Sequence, residues 1–298
     1  MKKETINKFR GTGVAIVTPF KKSGAIDFDS YEKILDFTIK GGVDFIVALG
    51  TTGEASTLSK QEKKTLIEFS VEKIQKRVPF VVGIGGNNTS ELVLSIHATP
   101  FKGVDAILSV CPYYNKPQQE GLYQHFKIVA EASPVPVILY TVPGRTSSNL
   151  TATTTIRLAN DFKNIIGIKE ASGNFDQIFQ IIKNKPEGFF VLSGDDGLTL
   201  PLIAAGCDGV ISVVANAFPN EFSKMVRLSL QGDFGKARHI HYQLIDFINS
   251  LFADGSPAGI KAALSYKKLC TNNLRLPLVP VNKEVNSLIT KLIDQIQN

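Results

Sequence analysis

"GVAIVTPFKKSGAI", residues 13–26, decides the fold. Its first half is a β-rich apolar run, and its second half is the turn that leads into the following helix. A doubly wound open sheet for dinucleotides would open its first helix with a G-x-G-x-x-G turn. Residues 18–26 read "TPFKKSGAI" and hold no such pattern. A barrel is the architecture that remains for a chain of alternating strand and helix signals.

Outward from this stretch the alternation repeats. Apolar runs stand at "GVAIVT" 13–18, "FIVALG" 45–50, "FVVGIG" 80–85, "AILSVC" 106–111, "PVILY" 136–140, "IIGIKE" 165–170, "FFVLSG" 189–194 and "GVISVV" 209–214. Near-continuous apolar runs suit strands buried on both faces, and helices in the gaps imply parallel crossovers. Ser59 with Glu62 forms a capping box, while Gly41 and Gly206 follow helical stretches as C-terminal caps would. The expected fold is α/β, a TIM (β/α)8 barrel over residues 1–230, followed by a C-terminal helical extension over residues 231–298. In the extension, helical periodicity covers 235–252, 258–270 and 283–296.

Composition narrows the function. Hydrophobic residues make up 43% and charged residues 20%, with Gly and Pro spread along the chain, as in a globular protein. The net charge is +6, yet basic residues come in pairs scattered among acids, which argues against a nucleic-acid stripe. Cys111, Cys207 and Cys270 are far apart and lack metal-site spacing, so a reducing, cytoplasmic location is expected. No apolar run reaches the length of a membrane span and "MKKETINKFR" has no apolar segment behind it, so a protein neither membrane-bound nor exported is expected.

In a barrel the active site lies at the C-terminal ends of the strands. Those ends carry Thr18, Thr51, Thr52, Asn87, Asn88, Tyr113, Tyr114, Tyr140, Lys169, Gly194, Asp195 and Ser212. The set is rich in hydroxyls and has one lysine. Lys169 either buries its stem and snorkels its charge, or serves as an amine that attacks a carbonyl to form a Schiff base; its place at the rim favours the second. Tyr140 ends the neighbouring strand and is either a proton-transfer phenol or a core tyrosine. Arg145 in "VPGRT" is either a carboxylate fork or an exposed loop arginine. "GTTGE", residues 50–54, is either an anion-binding loop or a tight βα turn.

No cofactor is called for. "SGDDG" follows strand seven, where barrels commonly bind phosphate, and its Asp195 and Asp196 would repel a phosphorylated sugar or pyridoxal phosphate. His97, His125, His239 and His241 lie on helices, and the last two are spaced to face different directions, so no metal is expected.

"GTTGE", "YYNKP" at 113–117, "YTVPGRT" at 140–146 and "GIKEASGN" at 167–174 resemble, in this order, the motifs of the dihydrodipicolinate synthase family, from Gly11 to the end of the chain. The resemblance implies a lyase, 4-hydroxy-tetrahydrodipicolinate synthase. Its Lys169 would condense with pyruvate as a Schiff base, and the enamine would attack L-aspartate 4-semialdehyde on the way to diaminopimelate and lysine. It further implies a proton relay of Tyr140, Thr52 and Tyr114. Thr51 and Thr52 would hold the pyruvate carboxylate, Arg145 would serve at the entrance, and Gly194 and Ile211 would line the pocket. Tyr114 would reach a neighbouring subunit's site in a homotetramer built as a dimer of dimers. Sialic acid lyase and keto-sugar acid aldolases share the lysine and the strand-five tyrosine, but generally lack the "PGRT" arginine.

Asn87, Glu91 and Tyr113 match polar residues of the family's allosteric lysine site. Ala55 and Ser56 exchange order there, and Lys60 and Lys63 stand where sensitive members have histidines. Positive charge near a site for a cation weakens it, so feedback by lysine should be weak or absent. Thr141 and Gly86 also depart from common family residues, asparagine and alanine, without removing a catalytic group.

Overall fold

A computed structural model describes residues 8–297. Eight parallel strands close in sequence order into a barrel: β1 (Gly11–Ala15), β2 (Phe45–Ala48), β3 (Phe80–Gly83), β4 (Ala106–Val110), β5 (Val137–Thr141), β6 (Ile165–Glu170), β7 (Phe190–Ser193) and β8 (Gly209–Ser212). The closing pair runs Gly11↔Gly209 through Val14↔Ser212. That register explains why β1 begins before the apolar run and ends inside it. Residues 16–18 lie past the ladder and begin the active-end loop, with the Ile16 amide still donating to Val47 O at 3.0 Å.

The period of two in each strand sorts side chains between two cores. Val14, Ile46, Val82, Ile107, Leu139, Ile168, Val191 and Val210 face the surrounding helices, while Ala15, Phe45, Val47, Leu108, Ile138, Phe190, Leu192 and Ile211 fill the barrel. Phe9 stacks on Phe45 and Phe190 with ring centroids 5.6 and 5.7 Å away. Both partners begin their strands, so the three rings plug the N-terminal mouth. Gly13 and Gly167 make room for them: a Cβ would come within 2.2 Å of the Phe45 ring and 2.3 Å of the Phe190 ring respectively. The interior is thereby packed at one end, and the polar groups gather at the other.

Helices cover the barrel between strands: α1 (Phe28–Lys40), α2 (Lys60–Ile74), α3 (Thr89–His97), α4 (Gln119–Ala132), the short α5 (Pro143–Thr146), α6 (Ala152–Asp161), α7 (Phe175–Asn184), α8 (Thr199–Ala204) and α9 (Pro219–Leu230). The capping box of α2 forms as expected, with Ser59 Oγ accepting from the Glu62 amide and Glu62 accepting from the Ser59 amide. After α1 the left-handed position falls on Gly42 (φ +86°), one residue past the Gly41 expected from sequence; Gly206 does take it (φ +111°). Three further helices follow: α10 (Phe234–Ser250), α11 (Ala258–Tyr266) and α12 (Lys283–Gln297). α10 packs on α8 and α9, and α12 on α10 and α11. Among the described residues, no helix is long and apolar enough to cross a membrane.

Candidate active site

β6 reads inward and outward by turns. Ile168 faces the helices, Lys169 faces the barrel, and Glu170 faces the helices again, where Gln177 of α7 donates to its carboxylate at 2.8 Å. β5 alternates in phase: Ile138 and Tyr140 point in, Leu139 and Thr141 out. The pairing Tyr140↔Lys169 then sets the two inward groups side by side, with Lys169 Nζ 4.5 Å from the Tyr140 ring centroid. Both are buried. Among the described residues no carboxylate pairs with Lys169, so no counter-ion pins its charge.

The next wall of the pocket is Gly194, just past β7. Its amide donates to Glu170 O at 2.8 Å, and an added Cβ would lie 3.0 Å from Lys169 Cε and 2.6 Å from Ala171 Cβ. Glycine here is what lets the chain run beside the lysine stem. Ile211, 1% exposed, points into the barrel from β8.

The GTTGE stretch forms a tight turn at the mouth of β2, in which Gly53 N donates to Gly50 O and Glu54 N to Thr51 O, both at 3.1 Å. Thr52 is buried in it and Thr51 exposed. Thr18 Oγ1 donates to Gly53 O at 2.7 Å, so the loop after β1 holds this turn from one side. Arg145 lies exposed on α5, the single helical turn that Pro143 starts over the barrel mouth.

Tyr114 does not join this pocket within its own chain. Its side chain is 89% exposed and its backbone is left-handed at φ +74°. Asn87 and Tyr113 meet each other in a separate cluster, with Asn87 Nδ2 donating to Tyr113 O at 3.2 Å and Asn115 Nδ2 to Asn87 O at 2.9 Å. Glu91, exposed in the first turn of α3, stands next to that cluster on the helix that Asn88 caps. Lys63 is half-buried, and burial, with Lys60 nearby, pushes its ammonium below the usual lysine range.

Supporting residues came out that the strand-end reading did not single out. Asp196 is fully buried; its Oδ2 accepts from the Val213 and Val214 amides at 2.9 Å, tying the loop after β7 to the turn after β8, and burial pushes its carboxyl up to about 6. Asn216 accepts from Val17 N at 3.2 Å and donates to Ala15 O at 2.9 Å, joining β8 to β1. Both sit in loops whose partners are distant in sequence, so only the closed barrel makes them visible. His125 is buried between α3 and α4 with Nδ1 2.9 Å from Thr89 Oγ1, and desolvation pushes it down to about 4.

A family model described as the dihydrodipicolinate synthetase family matches residues 8–296. The chain belongs to this family. The 4-hydroxy-tetrahydrodipicolinate synthase of Parabacteroides distasonis is 50% identical over 287 residues, covering 96% of this chain and 97% of its own length. That of Phocaeicola vulgatus is 52% identical over 273 residues, covering 92% of both. Among solved structures, the dihydrodipicolinate synthase of Acinetobacter baumannii in complex with pyruvate superposes with a TM-score of 0.94 at 39% identity, covering 97% of this chain and 99% of that one. The family's barrel with helices after it is the architecture described above.

Proposed function

We propose that this chain condenses pyruvate with L-aspartate 4-semialdehyde through a Schiff base on Lys169, the reaction expected of a 4-hydroxy-tetrahydrodipicolinate synthase. The observation that carries the reading is the in-register pair of inward residues Tyr140 and Lys169 at the open end of the barrel, with Gly194 alongside. The amine of Lys169 adds to the C2 carbonyl of pyruvate, and loss of water leaves an imine. The positive iminium nitrogen takes up the electron pair of a methyl C–H bond as Tyr140 accepts the proton through the relay, and the resulting enamine carbon attacks the aldehyde, whose oxygen takes that proton back. The amino group of the incoming substrate then closes on C2 and releases Lys169. Each step moves a proton near Nζ, and Tyr140, whose ring lies against that nitrogen, is the group to carry it.

Thr51 and Thr52 hold the pyruvate carboxylate, with Thr52 and Tyr114 completing the relay from Tyr140. Arg145, on the turn at the mouth, takes the semialdehyde carboxylate with its planar fork. The exposed, left-handed Tyr114 is supplied to a neighbouring copy, which makes the working form at least a dimer; the resemblance to the family extends this to a homotetramer, a dimer of dimers. No cofactor is required, and the location is the cytoplasm. The cluster around Asn87, Glu91 and Tyr113 is the allosteric position, with weak or no response to lysine.

The test is turnover. Pyruvate and L-aspartate 4-semialdehyde together should give the cyclised product, recognised by mass and by reduction with the next activity of a lysine pathway. Cleavage of a keto-sugar acid with no condensation would assign the chain to an aldolase instead.

A further inference from the structure

The chain holds a second buried lysine, far from the barrel mouth in sequence. Lys261, on α11, is wholly enclosed, and so is its partner Glu54, the last residue of GTTGE. Lys261 Nζ also donates to Asn273 O at 2.9 Å and lies 4.2 Å from the Phe20 ring centroid. The other Glu54 oxygen accepts from the Arg275 amide at 3.1 Å. The Arg275 side chain is anchored in turn: it donates to Gly24 O, Thr57 O and both oxygens of Glu62. Both carboxylate oxygens of Glu54 are thus held by the helical extension.

Glu54 has φ +52°, a left-handed conformation that a glutamate keeps only when its surroundings impose it. Two residues earlier stands Thr52, and between them Gly53 O is fixed by Thr18. The turn is therefore pinned on one side by the loop after β1 and on the other by residues 261 and 275. A buried ion pair is a poor source of net stability, because desolvation cancels much of the attraction. What it does supply is a fixed geometry for the groups it joins.

We propose that Lys261 and Glu54 are positioning residues for the active site: their ion pair, without touching substrate, sets the GTTGE turn so that Thr52 and its neighbouring amides meet the pyruvate carboxylate. This rests on the assignment of that turn to pyruvate made under the proposed function. The extension then acts on the barrel's first substrate, at the opposite wall from Lys169.

The readout is borohydride trapping of pyruvate on the full-length chain, titrated for the pyruvate concentration at half-saturation. The variant is Lys261→Met with Glu54→Gln, which removes both charges and keeps the volume, so that no buried charge is left alone. It should melt near the wild type and still trap pyruvate at saturation, with half-saturation raised about tenfold, the scale of a small misplacement of a binding group. A role in stability alone would lower the trapped amount and leave half-saturation where it was. Arg275→Gln, which removes the side-chain anchor on Gly24, Thr57 and Glu62 and leaves the backbone amide that meets Glu54, should raise half-saturation by about threefold. A folded double variant with unchanged half-saturation overturns the proposal. If the double variant does not fold, an unchanged value in Arg275→Gln overturns it. A wild-type chain that traps no pyruvate overturns both this proposal and the reading beneath it, so the two failures are told apart.

Discussion

The Tyr140 ring lies against Lys169 Nζ, and no acid pins that amine. If the phenol carries the protons of imine formation, Tyr140→Phe should keep the fold and slow turnover about 10²- to 10³-fold, measured as kcat with both substrates. Gly194→Ala tests the pocket wall: its methyl would press on Lys169 Cε and Ala171, so pyruvate trapping should slow by at least about tenfold. The place of Lys169 was legible in sequence because it closes an apolar run, and in a barrel those run ends gather at the active mouth. Glu54 was quoted but not understood, since its partners Lys261 and Arg275 lie on the far helical extension and no local pattern announces a long-range ion pair. Asp196 was read as a charge that repels phosphate, whereas the structure buries it as an acceptor for two amides.

Among the elements, α2 joins its own N-terminal cap to the helical extension. Glu62 closes the capping box and receives the Arg275 guanidinium, and those hydrogen bonds, Arg275 foremost, hold its carboxyl down to about 2. A depressed acid stabilises the fold fully above its unfolded value of about 4.3 and loses that contribution as pH falls through the folded value. The Tm difference between wild type and Glu62→Gln should therefore be largest above about pH 5 and shrink steadily toward pH 2. On the same helix stand Lys60 and Lys63, at positions where lysine-sensitive members of the family have histidines. Millimolar lysine should leave turnover nearly unchanged, and an inhibition constant in the micromolar range would contradict that. The strands were readable as apolar runs; β1 was displaced because the hydrogen-bond register with β8, set by closure, ends the ladder earlier than the apolar run does.

At the scale of the molecule, aromatic packing closes one mouth of the barrel and loops from several strands furnish the other, so chemistry has one end at which to occur. Tyr114 is the piece that does not fit inside a single chain: 89% exposed and in a left-handed conformation. If it serves a neighbouring copy, two inactive variants, Lys169→Ala and Tyr114→Phe, should regain activity when dissociated and reassembled together, because one hybrid site receives both intact groups. No recovery, with mixed oligomers verified by mass, would place Tyr114 outside the relay. The barrel itself was legible from eight runs in alternation with helices, but the use of a second copy has no signature in composition or periodicity and entered only through the family resemblance.

The most direct test of the central claim is to incubate the protein with pyruvate, reduce with borohydride, and locate the adduct by peptide mapping. A pyruvate-derived mass on the peptide containing Lys169, absent in Lys169→Ala, is the predicted result. An adduct on another lysine, or none on a folded chain, would contradict it.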